Sequence, residues 1–218
     1  PGMRPSMTKS SATWWLVALI VVSGIPRQEP PIGRCKWPKN RCRMLPYPAT
    51  TAAMKALIPL YRLVDLEEEA AKLEAELKAL RVSRPDPVSW VIGADQVLSA
   101  DGEIFEKPGT VDGARRQLKQ LRGKQHILHS AVCVAQNGQV VWRHVGEAKM
   151  TMRAFSDAFL ETYLVDAGED ILGSVGAYHV ESLGIQLFSK IDGDIFTVQG
   201  LPLLALLDFL RLHELVRT

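Results

Sequence analysis

Two short turn signals constrain this chain more than any other feature. Asp101-Gly102 and Asn137-Gly138 each stand between two apolar runs. The flanking runs are residues 97–98 and 104–105 for the first turn, and 127–135 and 140–152 for the second. Asp-Gly and Asn-Gly readily adopt the positive φ angles that two-residue hairpin turns require. Each dipeptide therefore predicts a pair of antiparallel strands.

Helices alternate with these strands. Apolar periodicity predicts helices over residues 65–81, 110–123, 156–165 and 202–215. Asp65 and Glu68 have the spacing of a capping box at the start of the first. The apolar run 90–94 is typical of a buried strand, and residues 175–196 contain shorter strand-like pieces. Helices alternating with strands, with hairpins inserted, predict an α/β protein with a mixed sheet.

The first fifty residues have a different composition from the rest. They contain eight Lys or Arg against one acid, Glu29, a net charge of +7, and eight of the 13 prolines. The other 168 residues contain 18 basic and 23 acidic side chains, a net charge of −5, which leaves +2 overall. We therefore predict an atypical basic, Pro-rich segment over 1–50 and a folded domain over 51–218.

An apolar run of nine residues, Trp14 to Val22, lies inside the basic segment. It is too short to span a bilayer. Basic residues before it and small residues after it fit a signal peptide. A buried parallel strand that ends at a phosphate-facing loop fits as well, and we favour it.

Three side chains are candidates for chemistry. Asp95 follows the predicted strand 90–94, and catalytic groups of α/β folds lie where a strand ends. Its carboxylate can hold a divalent metal or accept a proton from water, or it can simply form a turn. Lys107, stiffened by Pro108, can hold a phosphate or be a solvated lysine. Lys78 is within i,i+4 reach of Glu74, which favours a surface salt bridge.

Several other kinds of site are excluded. No phosphate-binding loop of the G-x-x-x-x-G-K-[ST] type, dinucleotide fingerprint or serine nucleophile elbow occurs. The five histidines lack ligand spacing. The odd cysteine count, without a C-x-x-C pair, argues against a disulfide framework and a zinc site. Cys133 lies in an apolar run and is expected to be a buried small hydrophobe.

Over about residues 65–215 the chain resembles the Maf family. The matching segments are Leu77-Lys78-Ala79, residues 91–97, 101–103, 106–108, 114–118, 123–126, 155–156, 163–164, 176–178, 181–185 and 200–203. Each segment alone is weak evidence, but their order and spacing together are specific.

The resemblance implies an elongated mixed sheet with flanking helices and a central cleft. It also implies a cytoplasmic homodimer, without nucleic-acid or membrane partners, that converts a nucleoside triphosphate to the monophosphate and pyrophosphate with Mg²⁺ or Mn²⁺. By this resemblance Asp95 is the proton acceptor, or a metal-linked activator, for the attacking water. Lys107 and Lys78 are the phosphate-side cations. Such chemistry needs charge neutralisation and an oriented water more than covalent help.

The resemblance also bears on the base. Gln96 and Glu181 stand where a branch acting on dTTP and UTP usually has Thr and Gln, and they resemble the branch associated with 7-methyl-GTP. A carboxylate such as Glu181 can accept hydrogen bonds from guanine N1–H and its amino group. We therefore expect a purine triphosphate, modified or not.

The chain departs from the family near its start. Ser23 and Arg27 only partly match a Ser-x-Ser-Pro-Arg-Arg loop, and no acid occurs between Glu29 and Asp65, where the family carries one. Three explanations are open: a degenerate protein, a wrong reading frame or start over residues 1–50, or a basic tail for nucleic acid or anionic lipid. The alternative to an active enzyme is an impaired nucleotide-binding or cell-division regulatory protein.

Overall fold

The computed structural model describes residues 20–22, 57–59 and 66–217, and Ser23, Arg27 and Asp65 lie outside this part. The strands are β1 (Ile20–Val22), β2 (Trp90–Ala100), β3 (Glu103–Phe105), β4 (Gln125–Gln136), β5 (Gln139–Met152) and β6 (Phe188–Asp192). The α-helices are α1 (Glu67–Ser83), α2 (Val111–Leu121), α3 (Asp157–Ala167), α4 (Ile195–Val198) and α5 (Leu203–Leu212). Three 3₁₀ helices cover Gly168–Gly173, Val175–Ala177 and Leu183–Leu187.

These strands form one six-stranded sheet. Its order is β1-β2-β4-β5-β6, and β3 also pairs with β2. The α/β class with flanking helices is confirmed. Every strand pair within the described residues is antiparallel, however, so the parallel pairs of a mixed sheet are not among them. Ile20–Val22 is a strand as expected, but it also pairs antiparallel, with β2.

Both predicted hairpins are confirmed. Asp101 and Gly102 have φ angles of 52° and 78°, and Asn137 and Gly138 have 51° and 72°. Positive φ at both central residues is the conformation of a type I′ turn, whose twist matches that of the flanking strands. The second hairpin joins the two longest strands, β4 and β5, which pair over almost their whole length.

Strand β2 is longer than predicted and has an interrupted edge. It runs on through Asp95 to Ala100, because β4 pairs with it continuously from Val91 to Ser99. On the opposite edge, β1 pairs with residues 90–92 and β3 with residues 98–100. Within the described chain, residues 93–97 of that edge therefore have no strand partner. Asp95 lies in the middle of this opening.

Helix α1 covers one face of the sheet at unusually short range. A Cβ atom at Gly93 would lie 2.3 Å from the carbonyl oxygen of Ala75 and 2.9 Å from Cβ of Ala79. Glycine and alanine thus allow the helix backbone to contact β2. Leu66 occupies the N-cap position without a side-chain cap, and Glu68 pairs with Lys72. Asp65, the other residue of the predicted capping box, lies outside the described residues.

The opposite face of the sheet carries two further groups of helices. Around α5, residues such as Ile92, Val134 and Leu206 form one buried cluster. Around α2 and α3, a larger cluster includes Leu98 and Met150. The layers are therefore α1, the sheet, and the remaining helices. The second and third predicted helices, capped by Thr110 and Ser156, are confirmed, as is the burial of Cys133.

Two predictions near the C-terminus need correction. Residues 175–196 form two 3₁₀ helices, one strand and the start of α4, where strand-like pieces were expected. Short apolar runs do not distinguish strand from 3₁₀ backbone, and Gly176, with φ of 78°, favours a turn. The last helix ends at Leu212, not near Leu215.

No helix in the described ranges is long and apolar enough to cross a bilayer.

Candidate active site

Asp95 and Lys78 form an ion pair at the opening in the edge of β2. Lys78 Nζ donates a hydrogen bond to Asp95 Oδ1 and lies 3.5 Å from the carbonyl oxygen of Ala94. The Asp95 side chain is only 11% exposed, whereas the Lys78 side chain is 36% exposed. Lys78, which the sequence favoured as a surface partner of Glu74, pairs with Asp95, because the close approach of α1 at Gly93 brings Lys78 to the sheet.

The prediction that Asp95 lies at a strand end was wrong, and its position inside β2 changes its chemistry. Its pKa is raised from 3.8 to about 6: burial is the largest cause, the charge of Glu74 acts in the same direction, and Lys78 and Lys107 act against both. Burial disfavours the charged carboxylate more strongly than the two lysines favour it. A carboxylate with a pKa near 6 is ionised at neutral pH and is still basic enough to accept a proton.

Lys107 belongs to the same electrostatic group. It is exposed in the loop after β3, and its charge acts on Asp95. Two of the predicted cations, Lys78 and Lys107, therefore both act on the predicted carboxylate of Asp95. Glu74, half-buried one turn before Lys78 on α1, was predicted only as a surface partner. Its one sequence signal was its i,i+4 spacing from Lys78.

Gln96 lies on the other face of the sheet. Its Nε2 donates hydrogen bonds to Ser130 Oγ at 2.8 Å and to the carbonyl oxygens of Thr197 and Val198, both at 3.1 Å. Successive side chains of a strand point to opposite faces, so Asp95 and Gln96 cannot line the same side of β2. The amide group of Gln96 anchors α4 to the sheet, a role that its sequence position did not indicate.

Glu181 is exposed in the turn between two 3₁₀ helices. Its charge acts on His179, together with that of Asp170. Nothing in the described residues joins it to Asp95. Its role in base recognition, like the phosphate roles of Ser23 and Arg27, stays a prediction.

The oxygen donors near Asp95 suit a hard divalent cation. The described residues contain no cluster of three or more His, Cys, Asp or Glu side chains that could enclose a metal. Mg²⁺, however, is commonly held by one or two carboxylates together with substrate phosphates. Glu74 on α1 is a second carboxylate, and its charge acts on Asp95. These two side chains fit such a cation, whereas Lys78 competes with it for Asp95.

Comparison with known proteins identifies the family. The family model described as Maf-like protein matches residues 50–213. A nucleoside triphosphate pyrophosphatase of Caulobacter vibrioides is 55% identical over 139 residues, 64% of this chain and 69% of the relative. One of Rhodospirillum rubrum is 52% identical over 145 residues, 66% of this chain and 72% of the relative. A 7-methyl-GTP pyrophosphatase of Brucella abortus is 50% identical over 158 residues, 72% of this chain and 79% of the relative.

The resemblance drawn from short segments thus extends over most of the chain. The match begins at residue 50, where the basic, Pro-rich segment gives way to an acidic domain with alternating helices and strands. With the family model covering more than half of its length, the chain belongs to the Maf-like protein family.

Proposed function

We propose that this protein hydrolyses a nucleoside triphosphate to the monophosphate and pyrophosphate. The observation that carries the proposal is the buried Asp95 carboxylate, paired with Lys78 at an opening in the sheet and with its pKa raised to about 6. The names of the relatives, which describe this activity, support it.

In this mechanism Asp95 accepts a proton from the water that attacks the α-phosphorus. The new bond joins the water oxygen to that phosphorus, and the bond to the bridging oxygen of the β-phosphate breaks. The electron pair leaves with pyrophosphate. Burial of Asp95 makes its carboxylate a better base than a solvated aspartate, because a group with a higher pKa binds a proton more strongly.

Lys78 and Lys107 have complementary roles. Lys78 holds the Asp95 carboxylate in one orientation and brings a positive charge to the reacting phosphate. Lys107, in its exposed loop, acts as a point charge for the phosphates beyond the bond that breaks. Charge neutralisation of this kind dominates the catalysis of phosphoryl transfer. Ser23 and Arg27 are further phosphate contacts that we retain as predictions.

A divalent cation, Mg²⁺ or Mn²⁺, is part of the proposal. Asp95 and Glu74 would hold it together with the substrate, and when bound it would neutralise charge on the phosphates. The protein's own part is to present the carboxylates and the two lysines around one opening. We expect this to take place in the cytoplasm, in a homodimer that acts without a nucleic-acid or membrane partner.

For the base we propose a purine, with 7-methyl-GTP as the leading candidate. The name of the Brucella abortus relative supports this substrate, and so does the Gln96 and Glu181 pair. Because the Gln96 amide nitrogen is engaged by α4, we assign Gln96 a positioning part and Glu181 the direct contact with the base.

The test is to incubate the purified protein with Mg²⁺ or Mn²⁺ and 7-methyl-GTP, GTP, UTP or dTTP, and to measure pyrophosphate and monophosphate. We expect release with the purine substrates and a loss of about a hundredfold or more in Asp95→Asn, a hundredfold being the lower end of the range for a general base. Glu181→Gln should reduce the ratio of kcat/KM for 7-methyl-GTP to kcat/KM for UTP.

One observation favours a second function. The sequence has no acid between Glu29 and Asp65 and lacks part of the family's phosphate loop. If no substrate is cleaved while nucleotides raise the melting temperature of the folded protein, a nucleotide-binding or regulatory role is correct instead.

A further inference from the structure

A basic groove lies beside Lys107, and neither Asp95 nor Lys78 lines it. It encloses about 490 Å³, within the size range of small-ligand sites. Its walls are Lys107, Pro108, Gly113, Arg116, Gln117, Lys119 and Gln120. Five of these residues lie on α2, and four of the five, Arg116, Gln117, Lys119 and Gln120, give the helix a continuous polar surface toward the groove.

The charges in the groove are positive. Lys107, Arg116 and Lys119 are all exposed there. Within the described residues the Arg116 side chain makes no ion pair or hydrogen bond, and Lys119 has only a 3.8 Å contact with Asp157, which also binds Arg122. Three cations in one groove stand out in a domain whose residues 51–218 carry a net charge of −5. Such a groove attracts anions.

The nearby acid on α2 does not cancel this charge. Asp112, in the first turn of the helix, is paired with Arg115, which also makes two hydrogen bonds to Glu161. The positive end of the helix adds to the potential at Gly113. An anion with several charges is therefore the ligand that this groove fits.

The loop that joins the groove to the active site is held firmly. Gln117 Nε2 donates a hydrogen bond to the carbonyl oxygen of Glu106 at 2.6 Å, and Gly109 N–H donates to the carbonyl oxygen of Leu172 at 3.1 Å. These bonds fix the backbone on either side of Lys107. Lys107 therefore lies in the groove wall while its charge still acts on Asp95.

We propose that this groove binds the diphosphate end of the substrate, and retains it as pyrophosphate after cleavage. The assignment rests on the proposed function and extends it, since Arg116 and Lys119 become binding residues that neither the family match nor the sequence pattern indicated. Lys107 is the residue common to both parts of the site, since it lines the groove and its charge acts on Asp95.

The experiment is a calorimetric titration of the full chain with inorganic pyrophosphate in the presence of Mg²⁺. We expect Arg116→Gln and Lys119→Gln each to weaken binding about fivefold to tenfold, as expected for the loss of one charge-assisted contact. The double variant should be weaker still, and Arg116→Lys should recover part of the affinity. Lys190→Gln, an exposed lysine of β6 with a 3.5 Å contact to Asp192, is the matched control and should bind like the original chain.

The titration needs no turnover, so it separates the two proposals. Binding that is weakened at Arg116 but not at Lys190 supports the groove even if no triphosphate is cleaved. The inference is overturned if pyrophosphate does not bind at millimolar concentration, or if the Arg116→Gln and Lys190→Gln chains bind it equally. Repeating the titration with Asp95→Asn shows whether the groove retains pyrophosphate without the carboxylate, as we expect.

Discussion

At the scale of single residues, three charged neighbours and burial together set the protonation of Asp95. Burial is the largest influence and raises the pKa, Glu74 acts in the same direction, and Lys78 and Lys107 oppose both. The carboxylate is therefore less acidic than an ordinary aspartate although a lysine touches it. This balance makes opposite predictions for the substitution of its neighbours.

The pH dependence of hydrolysis should follow this balance. Activity should rise with pH through about 6, because Asp95 must be deprotonated to accept a proton. Lys107→Gln removes a cation and should move this rise to higher pH, whereas Glu74→Gln removes an anion and should move it to lower pH. Profiles of kcat/KM against pH for the three proteins would show both shifts, and a shift in the same direction for both variants would contradict the account.

The same carboxylate should cost stability. Since the folded-state pKa of Asp95 lies above 3.8, the folded protein holds this proton more tightly, and stability falls as pH rises from about 4 to about 6. Asp95→Asn should therefore increase the free energy of unfolding at pH 8 by about 1–3 kcal/mol while abolishing activity. Near pH 4 the difference should vanish. Urea denaturation of both chains at pH 4 and pH 8 measures this difference in the free energy of unfolding. Equal stability of the two chains at pH 8 would contradict the claim that the ionised Asp95 carboxylate destabilises the fold.

At the scale of secondary-structure elements, the site depends on the contact between α1 and β2. Gly93 and the small residues Ala75 and Ala79 allow the helix to approach closely, and the ion pair of Lys78 with Asp95 follows two residues further along the strand. The opening in the β2 edge, between β1 and β3, leaves this pair beside unpaired backbone in the described structure.

Substituting the glycine tests this contact. In Gly93→Ala the new methyl group would overlap the Ala75 carbonyl, so α1 must move away from β2. We expect a loss of about 1–3 kcal/mol of stability, typical of overpacking, and a fall in activity because Lys78 is withdrawn from Asp95.

Gly173→Ala is the control, because a Cβ atom there meets nothing within 4 Å. Thermal melts and pyrophosphate release would be compared for both variants. If Gly93→Ala is as stable and as active as Gly173→Ala, the close contact does not position the site.

The elements differ in how far the sequence predicts them. Hairpin turns and the caps at Thr110 and Ser156 are encoded by a few adjacent residues, so they were predictable. That β2 continues through Asp95 was not, because the strand is extended by its pairing with β4, a distant segment. The 3₁₀ helices of residues 168–187 were missed for a similar reason, since short apolar runs have no distinctive period.

At the scale of the whole molecule, the layered α/β architecture followed from the alternation of elements, whereas the pairing directions of the sheet did not. Asp95, Lys78 and Lys107 were predicted as separate candidates, and the fold brings their charges together. Gln96 shows the limit of sequence neighbours: it follows Asp95 directly, and the alternation of a strand sends it to the opposite face. The Arg116 groove depends on a loop and a helix meeting, which no local motif encodes.

The central claim is that water activated at Asp95 attacks the α-phosphorus of a triphosphate. The most direct measurement is hydrolysis of 7-methyl-GTP or GTP in ¹⁸O-labelled water, with mass spectrometry of the products. The account predicts one ¹⁸O atom in the monophosphate, none in pyrophosphate, and no labelled product above background with Asp95→Asn. Label in pyrophosphate or in inorganic phosphate, or unchanged labelling by Asp95→Asn, would contradict it.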